Sequence, residues 1–183
     1  IGREVARRAR AFDAVVWYHD LLRLTAAEAQ ALGVSYRSLE SLLAEADIVS
    51  LHLPSTPQTY HVIDEDALAR MRRGSILINT ARGSLVDQPA LVAALQSGHL
   101  GGAGLDVFAE EPPAPGDPLL SLPNVVLTPH VAAGTRDALI TKMDAAFANM
   151  QRVARGEPPV HVAAESLRDE DAQAAVGLPG GAS

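Results

Sequence analysis

The sequence predicts an α/β fold, a doubly wound parallel sheet covered by helices on both faces. Three observations point there. Short apolar, β-branched runs alternate with helical segments along the chain. The runs are continuously apolar rather than alternating in and out, which suits strands buried on both faces. Cap and turn residues stand at most of the boundaries between them.

The elements follow in order. Val5, Ala9 and Phe12 recur at helical spacing and predict an amphipathic helix over 2–12. Ile1-Gly2-Arg3-Glu4-Val5 reads as a helix already under way with no N-cap, so the chain is expected to be truncated at its start. Residues 14–18 are a buried strand. Thr25 and Glu28 form a capping-box pattern for a helix that ends near Gly33. A short strand (34–36) follows, then a short helix that Ser38 and Ser41 precede or open, running to about Ala46. Residues 47–53 are a strand stopped by Pro54. Asp64 caps a helix to about Arg72, with Gly74 after it. Residues 75–79 are a strand. Asp87 caps a helix with Pro89 in its first turn, Leu91 and Leu95 on one face and Gly98 at its close. Residues 103–107 are a strand, 112–123 a Pro-rich loop, and 125–127 a strand. Leu139, Met143, Phe147 and Met150 mark one face of a long helix over 135–155. After Gly156 the pattern fades. The expected organisation is one domain over 1–159 and a tail over 160–183, largely disordered, with small residues from Gly177 on.

Composition excludes several classes. Of 183 residues, 48% are hydrophobic and 20% charged, which supports a packed core and excludes wholesale disorder. The net charge of −7 argues against a general nucleic-acid binder. No apolar run approaches the ~18 residues of a membrane span, and no signal segment is seen, so a cytoplasmic protein is expected. With no Cys, disulfides, Cys-zinc sites and thiol nucleophiles drop out together.

In such a sheet, ligands sit at the carboxyl ends of the strands. Gly2 opens a helix, and Asp20 follows the next strand eighteen residues later. That is the spacing of a dinucleotide-binding glycine and its ribose-binding acid, though a packing glycine and a surface acid read equally well. Arg82, in Asn79-Thr80-Ala81-Arg82-Gly83, follows the strand 75–79, where its planar fork could hold a carboxylate. Asp106 ends the strand 103–107, and Glu110-Glu111-Pro112 lies just beyond it. His130, in Thr128-Pro129-His130, follows the strand 125–127 and is the best acid/base candidate among six His residues. His19 is placed to border an adenosine and His52 to shape the cleft, while His61, His99 and His161 have bland surroundings. No His pair has metal spacing, so no metal is expected. An Arg, a Glu and a His after three successive strands describe an acid/base site beside a nucleotide crevice.

These segments resemble the NAD-binding domain of the D-isomer-specific 2-hydroxyacid dehydrogenases, from Ile1 to about Pro159. The resemblance rests on Ile1-Gly2, Tyr18-His19-Asp20, residues 46–54 (ADIVSLHLP), residues 77–83 (LINTARG), Gly104-Leu105-Asp106-Val107-Phe108 with Glu111-Pro112, and Leu127-Thr128-Pro129-His130. It implies a Rossmann-type domain whose first strand and two phosphate-binding glycines lie upstream, and a substrate domain mostly absent from this chain. By itself the fragment is then expected to show little or no activity.

The resemblance also implies roles. Arg82 would hold the substrate carboxylate, His130 would be the proton donor and acceptor, and Glu111 would orient its ring. NAD would be the cofactor, with Gly2, Asp20, Pro54, Thr80, Ala81, Arg82, Asp106 and His130 around it. Asp20 would take the ribose hydroxyls and favour NAD over NADP, although Arg23 stands near. Asp106 would face the nicotinamide carboxamide. The expected substrate is a small 2-hydroxy or 2-keto acid such as glyoxylate or hydroxypyruvate. Formate dehydrogenases in this family have Gln where Glu111 stands, which argues against formate. Two alternatives remain: D-3-phosphoglycerate oxidation, weakened by a tail with no recognisable regulatory domain, and an NAD-sensing binding module like the transcriptional corepressors of this fold. A homodimer built on the helix 87–96 is expected of the full-length protein, with no membrane or nucleic-acid partner.

Overall fold

The computed structural model describes residues 1–162. Strands and helices alternate as expected, and every paired strand is parallel. The order is α1 (Gly2–Arg10), β1 (Val16–Tyr18), α2 (Ala26–Leu32), β2 (Val34–Tyr36), α3 (Leu39–Glu45), β3 (Ile48–Leu51), α4 (Glu65–Arg70), β4 (Ile76–Asn79), α5 (Gln88–Gln96), β5 (Gly102–Leu105), β6 (Val125–Leu127) and α6 (Arg136–Ala154). Two 3₁₀ turns, Gly83–Leu85 and Pro118–Ser121, were not anticipated; Asp117 caps the second through Leu119 N–H.

Local chemistry sets the helix starts. Thr25 accepts Glu28 N–H while Glu28 reaches back to Thr25 N–H, the reciprocal box. Ser38, Asp64, Asp87 and Thr135 each cap through the backbone N–H three residues on. α1 has no side-chain cap, as its sequence suggested.

The sheet consists of two parallel ladders. β1 pairs with β2, and β3-β4-β5-β6 form a separate four-stranded sheet. Among the described residues no strand pairs with both β1 and β3, so the inner edges of these two strands carry no ladder. The apolar face expected of α1 is also not buried: Val5 is 38% and Phe12 87% exposed. With the sheet interrupted, α1 has β1 and α2 to rest on.

The core lies around the four-stranded sheet. Leu43 of α3, Leu68 of α4, Leu77 of β4, Leu91 and Leu95 of α5, and Leu105 of β5 are buried in one cluster with Ile63, Leu85, Leu100 and Leu119. Each such side chain stabilises the fold by about 1.5–3 kcal/mol. Leu91 and Leu95 turn one face of α5 into this core.

The chain divides into two compact units, Ile1–Ala133 and the part from Gly134 on, where the sequence reading drew one domain over 1–159. The second unit is built on α6. Leu139, Met143, Phe147 and Met150 lie on it as expected and are all exposed. The segment after α6 folds back on it: Asn149 exchanges two hydrogen bonds with Val160, and Arg152 donates to the Pro158 carbonyl. Residues 163–183 of the expected tail lie outside the described residues. No helix among the described residues is long and apolar enough to cross a membrane.

Candidate active site

The site lies in the first unit, where strands β3 to β6 all end on the same side because they are parallel. Leu51, Asn79, Leu105 and Leu127 close these strands in register, so the residues after them share one edge. Pro54, Arg82, Asp106, Glu111 and His130 all follow these strand ends. Gly2 and Asp20 belong to the α1–β1 part.

His130 and Glu111 are in contact. His130 Nδ1 lies 2.7 Å from Glu111 Oε2, and Glu111 Oε1 accepts Phe108 N–H at 3.0 Å. A carboxylate only accepts, so the proton between them sits on Nδ1 and the other ring nitrogen, Nε2, is left for other chemistry. Hydrogen bonds from His130 first, then from Phe108 N–H, hold the Glu111 carboxyl below its usual range. Both side chains are partly open to solvent, as an acid/base pair serving a ligand must be.

The backbone at His130 is strained. Its φ is +54°, a left-handed conformation rare for a residue with a Cβ. Asp106 accounts for it. This carboxylate is buried and accepts Thr128 O–H at 2.6 Å, Val131 N–H at 2.8 Å and Ala132 N–H at 2.9 Å. These bonds grip the loop on both sides of His130 and over-determine its turn. The resemblance had assigned Asp106 to the cofactor amide. In the structure its carboxylate is engaged with the chain itself, with one protein partner on Oδ2. β5 ends at Leu105, two residues before the expected end at 107.

Arg82 is exposed after β4, with Nη1 on the Ala81 carbonyl. Asn79, buried at the strand end, shapes the turn that presents it: Nδ2 donates to the Arg82 carbonyl at 2.9 Å and Oδ1 accepts Ala81 N–H at 3.0 Å. The sequence signal for this role of Asn79 is an amide side chain closing the apolar run Ile76-Leu77-Ile78. Gly83 brings this turn against the next one. A Cβ added to it would overlap the Phe108 carbonyl and stand 2.8 Å from the Ala109 nitrogen. The loop after Pro54 joins the cluster through Ser55 Oγ, 2.7 Å from Ser84 Oγ, and Thr59 Oγ1 donates to the Pro54 carbonyl at 2.7 Å. Thr80 is exposed and Ala81 half-buried beside Arg82.

At the β1 end, Asp20 is exposed, and Oδ1 accepts Leu22 N–H at 3.0 Å. Among the described residues Oδ2 has no partner, so an acceptor for hydroxyl donors stands at that strand end. Arg23 is turned away onto the Tyr36 ring, 3.9 Å from its centroid. Gly2 faces His52, whose Cβ would lie 3.4 Å from a Cβ on Gly2. Burial lowers the His52 pKa. The acceptor on Asp20 and the uncapped N-terminus of α1 suit the ribose and phosphate groups of a dinucleotide.

Comparison with known proteins identifies a family. The family model of the D-isomer specific 2-hydroxyacid dehydrogenase NAD binding domain matches residues 1–132. A glyoxylate reductase of Korarchaeum cryptofilum is 49% identical over 159 residues, covering 87% of this chain and 48% of that protein. A D-3-phosphoglycerate dehydrogenase of Mycobacterium tuberculosis is 49% identical over 138 residues, covering 75% of this chain and 26% of that protein. An NAD-complexed D-isomer specific 2-hydroxyacid dehydrogenase from Lactobacillus delbrueckii ssp. bulgaricus superposes with a TM-score of 0.80 at 35% identity, covering 89% of this chain and 53% of that one. The chain spans about half the length of the glyoxylate reductases it matches.

Proposed function

The chain belongs to the D-isomer specific 2-hydroxyacid dehydrogenases, as their NAD-binding domain, and from that premise we propose that the complete protein transfers a hydride between NAD(H) and a small 2-hydroxy or 2-keto acid. The observation that carries this is the Glu111–His130 pair, 2.7 Å apart, on the strand edge that also presents Arg82. NADH, when bound, supplies the hydride. Asp20 holds the ribose hydroxyls, Gly2 opens the helix that faces the phosphates, and Pro54, Thr80 and Ala81 line the cofactor. Arg82 binds the substrate carboxylate with its fork and draws electron density from the adjacent carbonyl. His130 holds a proton at Nε2, gives it to the carbonyl oxygen during reduction and takes it back during oxidation. Glu111 fixes the tautomer and the plane of the ring. Asp106 holds the loop in which that ring sits.

Glyoxylate is the first substrate to test, because the glyoxylate reductases are similar over most of this chain. Oxidation of 3-phosphoglycerate is the second reading, supported by the mycobacterial relative. The experiment is NADH oxidation by the complete gene product with glyoxylate, hydroxypyruvate, pyruvate and phosphohydroxypyruvate, alongside its His130→Gln and Arg82→Ala variants. Turnover of glyoxylate that His130→Gln lowers by about 10²–10⁴-fold supports the proposal. Arg82→Ala should also raise KM for the keto acid. Binding of NADH with no turnover of any of the four acids would count against it, and preference for phosphohydroxypyruvate would select the second reading.

A further inference from the structure

Glu111 sits in a stretch with no regular structure, yet the acid/base pair needs it at one place. Its own loop supplies one tie, the bond from Phe108 N–H. A second tie comes from outside the loop. Gln88, in the first turn of α5, accepts Ala109 N–H on Oε1 at 2.9 Å and donates from Nε2 to Asp117 Oδ2 at 2.7 Å. Asp117 is itself fixed, because its Oδ1 accepts Leu119 N–H at 2.9 Å. The amide orientation is therefore determined: its oxygen must meet an N–H and its nitrogen a carboxylate. A single planar group accepts at one end and donates at the other.

Gly83 closely approaches the same peptide: a Cβ added there would overlap the Phe108 carbonyl and stand 2.8 Å from the Ala109 nitrogen. Arg82, Gly83 and Gln88 stand on one short stretch that runs from the end of β4 into the first turn of α5. The Phe108–Ala109 peptide is thus the joint between the segment that presents Arg82 and the loop that presents Glu111. We propose that Gln88 is a positioning residue for the reaction: by holding this peptide it sets Glu111, and with it His130, relative to Arg82. The inference rests on the roles given above to Arg82, Glu111 and His130. The other charged groups around the pair keep separate tasks, since Asp106 grips the 128–132 loop and Asp117 anchors the far end of Gln88.

The test uses the complete gene product, NADH and glyoxylate, with Gln88→Ala, Gln88→Glu, Asp117→Asn and the double variant Gln88→Glu/Asp117→Asn. Gln88→Ala frees the Ala109 peptide and should lower kcat roughly tenfold, the scale of a sub-ångström misplacement. KM for glyoxylate and Kd for NADH should change less than about twofold, since neither binding group is touched. Gln88→Glu still accepts Ala109 N–H but sets a carboxylate against Asp117, and should lose at least as much. The double variant restores a donor opposite an acceptor and should return kcat to within about threefold of the parent. A readout without turnover is the proton NMR signal of the His130 Nδ1–H held by Glu111. It should broaden in Gln88→Ala and sharpen again in the double variant. Parental kcat in Gln88→Ala, or a double variant no better than Gln88→Glu, would overturn the inference. If Gln88→Ala does not fold, the rescue comparison alone decides. His130→Gln separates the two levels: full activity in that variant removes the acid/base reading, whereas a dead His130→Gln beside a parental Gln88→Ala removes the role of Gln88 alone.

Discussion

Gly83 lies so close to Phe108 that a Cβ in its place would overlap the Phe108 carbonyl. This contact joins the turn after β4 to the turn after β5, and with them Arg82 to the segment that leads to Glu111. The obstacle is backbone rather than a flexible side chain, so alanine must push the two turns apart. Gly83→Ala is expected to cost about 1–3 kcal/mol of stability and to raise KM for the keto acid through displaced Arg82. Thermal unfolding and steady-state kinetics of the complete protein check both. A parental melting temperature would show that the turns separate freely.

Asp106 makes acid sensitivity calculable in sign. Burial pushes its carboxyl up, but the bonds from Thr128 O–H, Ala132 N–H and Val131 N–H outweigh burial and hold it below its ordinary value. The unfolded chain, with a pKa of about 3.9, therefore takes up the proton first as pH falls. The stabilisation is fully present above about pH 4 and is lost as pH drops through the folded value. Asp106→Ala should cost about 1–3 kcal/mol at pH 7. The stability gap between parent and variant should narrow below about pH 4, measured by denaturant unfolding from pH 3 to pH 7. A gap that does not change with pH would contradict the assignment.

Glu111 has two partners, one for each oxygen, and an amide can serve only one of them with its single acceptor. Glu111→Gln must give up either Phe108 N–H or His130 Nδ1–H. Turnover should fall by about 10–100-fold, while NADH binds as in the parent. Single-turnover reduction together with NADH fluorescence titration tests this, and a weakened NADH affinity would place Glu111 in the cofactor site instead.

His52 gives a second pH window of the same sign, nearer neutrality. It is half-buried beside Gly2, with Nε2 2.9 Å from Ser50 Oγ, and burial holds its pKa below the usual value. The unfolded chain binds the proton first, near pH 6.5. Its contribution is complete above that pH and is lost as pH falls toward the folded value. The parent should lose stability between pH 7 and pH 5 while His52→Gln loses less. Equal slopes in the two proteins would exclude His52 as the source.

The caps, the alternation of strands and helices, and the residues Arg82, Glu111 and His130 were readable from the sequence. Their signals are local: Thr25 with Glu28, Asp64 with Ala67, and Asp87 with Ala90 are three residues apart. The strand cores announce themselves by composition, and the chemical residues by standing just after them. The family resemblance added the roles, chose Glu111 over Glu110, and brought in Pro54, Thr80 and Ala81.

What the tertiary structure decided is held by long-range contacts. Asp106 reaches Val131 across 25 residues, Gln88 reaches Ala109 across 21, and the Ser55–Ser84 bond spans 29. No periodicity encodes such pairs, because each depends on where two turns meet after the sheet has formed. The same holds for burial. Helical spacing marked the faces of α1, α5 and α6 alike, yet only α5 buries its face in the core, with Leu91 and Leu95 inside. An apolar stripe states that a partner is favourable; packing determines whether the fold supplies one.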